Sequence, residues 1–134
     1  TYAGELVSLA ATKATLEKLR WEGALSKINF QGRFLLESAQ QSIQPSAAVV
    51  GVPSRFVFKF PTQLHVDLFQ QECMKKGVLF TGAHNVALSH CNREILGKLA
   101  AVYLAASRVL SQNVGDPGKC LEGEPTRPAF RRQG

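Results

Sequence analysis

The sequence lacks paired cysteines, long apolar runs and any grouping of metal-ligating residues at a recognised spacing. Its three cysteines, Cys73, Cys91 and Cys120, are odd in number and unpaired in spacing. They fit a reduced, cytoplasmic protein with free thiols better than a disulfide framework. The histidines are His65, His84 and His90. No pair drawn from these six residues has zinc-finger spacing, and adjacent His90 and Cys91 would point apart, so no metal is expected. Nor can a third group be proposed to orient a Cys–His nucleophile. No apolar run approaches the roughly 20 residues of a membrane helix, so no membrane partner is expected. There is no basic-then-apolar leader, no internal repeat and no low-complexity tract. The chain opens on Thr1-Tyr2-Ala3-Gly4-Glu5 and not on methionine, which suggests a piece of something longer.

What is present reads as one globular domain. The chain has 134 residues, 45% of them hydrophobic and 19% charged, a balance far from that of disordered chains. The net charge of +6 is scattered and reads as a solvated surface. A basic nucleic-acid binder using Phe56, Phe58 and Phe60 to stack bases is a competing class, and it would bind in a salt-sensitive way. Strict alternation of those phenylalanines is equally what a sheet core requires, so no nucleic-acid partner is expected.

The pattern predicts a helix over about 4–21, with Leu6, Leu9, Leu16 and Leu19 on one stripe. Gly23 interrupts it. A second helix over about 25–43 carries Leu25, Ile28, Leu35, Leu36, Ala39 and Ile43 inward, and Pro45 ends it. Val49–Val52 and Arg55–Phe60 read as a hairpin around Pro53-Ser54. A helix over about 63–76 follows, with Leu64, Leu68, Phe69 and Cys73 on its apolar side, stopped by Gly77. Val78–Phe80 and Val86–Leu88 read as short strands. The last helix, about 92–111, has Ile95, Leu99, Val102, Ala106 and Val109 as its core stripe. Residues 115–134 hold three of the six prolines and little that could pack. The expected class is α+β: a small, mostly antiparallel sheet with helices on one face. The expected division is a linking helix at 1–22, a small domain at 23–112 and a flexible tail at 113–134.

Two segments carry a family resemblance. Thr1-Tyr2-Ala3-Gly4-Glu5-Leu6-Val7-Ser8-Leu9-Ala10-Ala11 is the first. Gly77-Val78-Leu79-Phe80, Gly82-Ala83-His84-Asn85 and Ser89-His90, followed by Glu94-Ile95, form the second. In order and separation they resemble the C-terminal small domain of class III pyridoxal-phosphate-dependent aminotransferases, particularly the glutamate-1-semialdehyde aminomutase-like branch. The resemblance covers about residues 1–110. Cys91 departs from it, standing where a capping threonine is usual; cysteine caps poorly, so Asn92 is the expected cap. Glu94 replaces an aspartate and keeps a carboxylate near the positive helix end.

The resemblance implies a homodimeric enzyme that moves an amino group between small amino and keto substrates, or between neighbouring carbons. It implies that Thr1 binds the phosphate of pyridoxal 5'-phosphate, a role suited to a hydroxyl and amide just before a helix. It places His84 and Asn85 near the active-site entrance as substrate-binding candidates, although a hydrogen-bonded turn would also account for them. His90 is expected to be structural.

That chemistry needs a Schiff-base lysine and an acid to protonate the pyridine nitrogen. In the resembled family both lie upstream of Thr1. None of Lys13, Lys18, Lys27, Lys59, Lys75, Lys76, Lys98 and Lys119 has a matching context, and no glycine-rich phosphate loop is present. No catalytic residue is therefore expected within the chain, and the fragment alone should be inactive. The alternative is a non-catalytic α+β interaction domain derived from such an enzyme.

Overall fold

Glycine and proline stop the helices where they leave room for turns, and the order of elements follows from those stops. The computed structural model describes residues 5–21 and 23–127. Helix α1 spans Leu6–Trp21. The Glu5 carboxylate opens it by accepting from the amides of Val7 at 3.1 Å and Ser8 at 2.7 Å. Hydrogen bonding from Ser8 holds the Glu5 carboxyl below its ordinary range. Gly23 then takes a left-handed conformation, φ 57°, and lets the chain turn into α2, Ala24–Ile43. Gln44 leaves α2 in an extended conformation just before Pro45.

The sheet has three antiparallel strands in the order β1-β2-β3, spanning Ala48–Val52, Arg55–Lys59 and Ala83–Asn85. Pro53-Ser54 connects β1 to β2 with Val52 opposite Arg55, as the alternation predicts. Phe56 and Phe58 point inward from the central strand. Helix α3, Gln63–Lys75, follows, and α4, Arg93–Gln112, closes the fold against α2 and α3. The architecture is the expected α+β one. Seven aromatic or imidazole rings, Phe56, Phe58, Phe60, Phe69, Phe80, His84 and Tyr103, form a continuous cluster between the sheet and α3 and α4.

Several local expectations are corrected. Val78–Phe80 is extended but pairs with no strand. Val78 N–H donates to the Cys73 carbonyl at 3.0 Å, finishing α3 through Gly77 at φ 75°. The free edge of β2 is taken instead by Ala83–Asn85, opposite Arg55–Val57. Val86–Leu88 is not a strand, and Leu88–His90 forms a 3-10 turn. In α4, Leu99, Val102 and Ala106 are buried and Val109 packs half-buried against the core, as expected, but Ile95 does not join them. Leu96, Leu99, Val102, Tyr103, Ala106 and Leu110 are buried, while Ile95 is 39% exposed. Asn92 does cap α4, its side chain accepting from Glu94 N–H at 2.8 Å.

Residues 115–127 are held against α3, against the reading of 113–134 as a flexible tail with little to bury; residues 128–134 lie outside the described residues. Pro117 is buried, and Pro117–Cys120 forms a 3-10 turn against α3. Gln71 donates to the Cys120 carbonyl at 2.9 Å and accepts from Glu122 N–H at 2.8 Å. Asp67 accepts from the Thr126 amide at 3.0 Å and hydroxyl at 2.6 Å. These polar side chains on α3 give a proline-rich strand its missing partners.

Candidate functional site

Of the two sequence-selected site residues among those described, His84 is buried and Asn85 is exposed. His84 sits in the middle of β3 opposite Phe56, and is 8% exposed. Its ring stacks on Phe56 at 5.3 Å between centroids, interplanar angle 10°. Its Nδ1 lies 2.7 Å from the Tyr103 hydroxyl. Tyr103 reaches it from the middle of α4, on the buried face that also carries Leu99, Val102 and Ala106. A buried hydroxyl must place its hydrogen, and Nδ1 is the acceptor at hand, so the imidazole proton belongs on Nε2. That Nε2 is buried and has no partner among the described residues. Desolvation, with a smaller contribution from His90, lowers the His84 pKa to about 4. Desolvation likewise pushes the Tyr103 phenol well above its ordinary value. At neutral pH the pair is an uncharged imidazole and an uncharged phenol.

Around this pair lies a cleft of about 330 Å³, bounded by the unpaired segment Gly77–Phe80, by Ala83–Asn85, and by His90, Leu99 and Tyr103. Asn85 lines the cleft too, but is exposed at the end of β3. His90, half-buried, has its ring centroid 5.2 Å from that of His84. Its Nδ1 accepts from the Ala87 amide at 3.2 Å, so its Nε2 also carries the proton. This contact closes the 3-10 turn, the structural role expected for His90. Lys98 stands at the rim: a Cβ on Gly77 would lie 3.9 Å from its ammonium. A second cleft, about 570 Å³, separates α1 from α2 and the turn at 87–89, and is lined by Thr15, Lys18, Leu19, Ile28 and Leu88.

The fold thus brings His84 and Asn85 to one cleft, while Thr1 lies outside the described residues. Tyr103 and Lys98 are what the sequence did not single out. Nothing local marks Tyr103, which stands 19 positions from His84 and meets it only through the packing of α4 on the sheet.

The described residues do not build a pyridoxal-phosphate site by themselves. All eight lysines are exposed, whereas an imine-forming lysine is made nucleophilic by desolvation or a neighbouring cation. Lys75 instead pairs with Glu122 at 2.6 Å and Glu72 at 2.8 Å, and Lys119 with Asp116 at 2.9 Å; both have raised pKa values from those contacts. The cysteines are free thiols. Cys73 is buried and desolvation raises its pKa to about 12, which makes it a packing group and not a nucleophile. Among the described residues no three His, Cys, Asp or Glu side chains could hold a metal ion, and no helix is long and apolar enough to cross a membrane. No known protein family, curated protein or solved structure matches the chain.

Proposed function

We propose that the chain is the C-terminal small domain of a pyridoxal-phosphate-dependent class III aminotransferase or aminomutase. The observation that carries the reading is α1. Its Leu6, Leu9 and Leu16 are 77%, 58% and 55% exposed, although they lie on one apolar stripe of the helix. A stripe of that size on a linking helix calls for a further body to cover it. In the resembled family that body is the large domain, which holds the lysine and the pyridinium partner. The sequence likeness of Thr1–Leu16 and Gly77–Ile95 to that family supports the same reading.

On this reading the chain contributes no catalytic residue. Thr1 would hold the cofactor phosphate, and the His84–Asn85 segment would form part of the substrate entrance. The complete protein would act as a cytoplasmic homodimer on small amino and keto substrates. The cofactor supplies the electron sink when bound; this chain's share is to position and to exclude water.

The alternative is a non-catalytic interaction domain descended from such an enzyme. One experiment separates the two. The chain is produced with its native upstream sequence and examined for the visible absorption of lysine-bound cofactor, and for its change on adding an amine substrate. A band that responds to amine supports the enzyme. A folded dimer without the band leaves the interaction domain.

A further inference from the structure

Among the described residues two buried side-chain polar atoms have no partner, Ser107 Oγ and His84 Nε2, and the second lies on a cleft. Burying a polar group without a partner is unfavourable, so such an atom in a native protein calls for an explanation. The hydrogen bonds on the other side of both rings settle what this one can do. Tyr103 occupies Nδ1 of His84, and the Ala87 amide occupies Nδ1 of His90. Each ring therefore keeps an N–H donor at Nε2, and the two rings lie 5.2 Å apart on one cleft. Lys98 adds an ammonium at the rim and is in no ion pair among the described residues. No carboxylate lines the cleft. Asn85, exposed at the cleft edge, has an amide that can turn either its NH2 or its oxygen inward, and two ring N–H donors with a cation nearby and no carboxylate favour a negatively charged oxygen.

We propose that this cleft binds the oxyanion of a small carboxylate or phosphate, through the imidazole N–H groups of His84 and His90, with the Lys98 ammonium at its mouth. His84 Nε2 is buried, and half-buried His90 lies between it and solvent, its ring centroid 5.2 Å from that of His84. The Gly77–Phe80 segment, which pairs with no strand among the described residues, forms another wall. The inference rests on the cleft's own chemistry, not on the amino-transfer reading, and the two fail separately.

The test uses the full chain with its histidine rings labelled with ¹⁵N. Sodium acetate and inorganic phosphate are titrated separately at constant ionic strength, with sodium chloride as the reference. The His84 ring resonances should shift and saturate with at least one of the two anions, while His65, already bonded to Thr62 and to the Val114 carbonyl, stays fixed. Saturation by acetate alone defines a carboxylate site, and by phosphate alone a phosphate site. Lys98→Gln, at an exposed position that leaves the core intact, should weaken binding about two- to fivefold. His84→Gln, followed through the His90 ring, should weaken it about tenfold or more. A linear drift matched by chloride would overturn the proposal. So would saturation that neither substitution alters.

Discussion

At the scale of single residues, His84 couples stability to acidity. Its pKa is about 6.5 when exposed and about 4 in the fold. The unfolded chain therefore binds the proton more readily, and stability rises with pH across that interval. The contribution is complete above about 6.5 and is lost as pH falls toward about 4; a shift of this size is worth roughly 3 kcal/mol. The groups facing the ring are His90, the neutral Tyr103 phenol and, at the rim, Lys98, so no carboxylate offsets the loss. Urea midpoints measured across this interval should decline for the native chain. His84→Phe, which keeps the stacking on Phe56, should flatten that part of the slope. Tyr103→Phe should cost about 1–3 kcal/mol at neutral pH, because it removes the only partner of a buried ring nitrogen.

Gly32 makes a second residue-scale prediction. It lies in the middle of α2, where its missing side chain admits the Pro53 carbonyl; a Cβ there would overlap that backbone oxygen. Alanine normally favours a helix interior over glycine by about 1 kcal/mol. Here Gly32→Ala should instead destabilise by about 3 kcal/mol or more, because backbone must move. Chemical denaturation gives the sign directly. Gly97, exposed in α4 with open space around its Cβ position, should show the ordinary stabilising sign on the same substitution.

At the scale of elements, the strap from Asp116 to Thr126 is held mainly by polar side chains of α3. Asp67 is 7% exposed and accepts from Thr126 twice and from Gln63 once. Asp67→Ala should release the strap, with loss of hydrogen-exchange protection at Thr126 and Glu122 and a cost of about 2 kcal/mol. Protection of α2 and α4 should persist. The elements also show what could be read in advance. All four helices and the β1–β2 hairpin were legible, since apolar spacing, Gly23, Pro45 and Gly77 mark their bodies and ends. The third strand was not. Ala83-His84-Asn85 is short and polar, and is a strand only because the edge of β2 accepts it, whereas Val78-Leu79-Phe80 looks like one and is diverted by the Cys73 carbonyl. The strap was illegible for the same reason: its partners, Asp67 and Gln71, are remote in sequence and on a helix whose polar residues read as solvent-facing.

For the whole molecule, the exposed leucines of α1 contrast with the closed core beneath α2 and α4. Leu9→Glu and Leu16→Glu should change the stability of the chain by no more than about 0.5 kcal/mol, as expected for exposed positions. The same changes should disrupt docking onto the body that α1 is proposed to serve, read as loss of the dimer in the longer protein. At the candidate site, sequence alone found His84 and Asn85 but not the hydroxyl or the ammonium beside them, because both come from α4 through tertiary packing.

The central claim is that this chain is part of an amino-transferring enzyme and holds none of its catalytic residues. The most direct measurement is borohydride reduction of the longer, cofactor-loaded protein, followed by peptide mapping of the lysine that retains the cofactor. The account predicts one labelled lysine, upstream of Thr1. A label on any of the eight lysines between Lys13 and Lys119, or no label in a folded dimer, would contradict it.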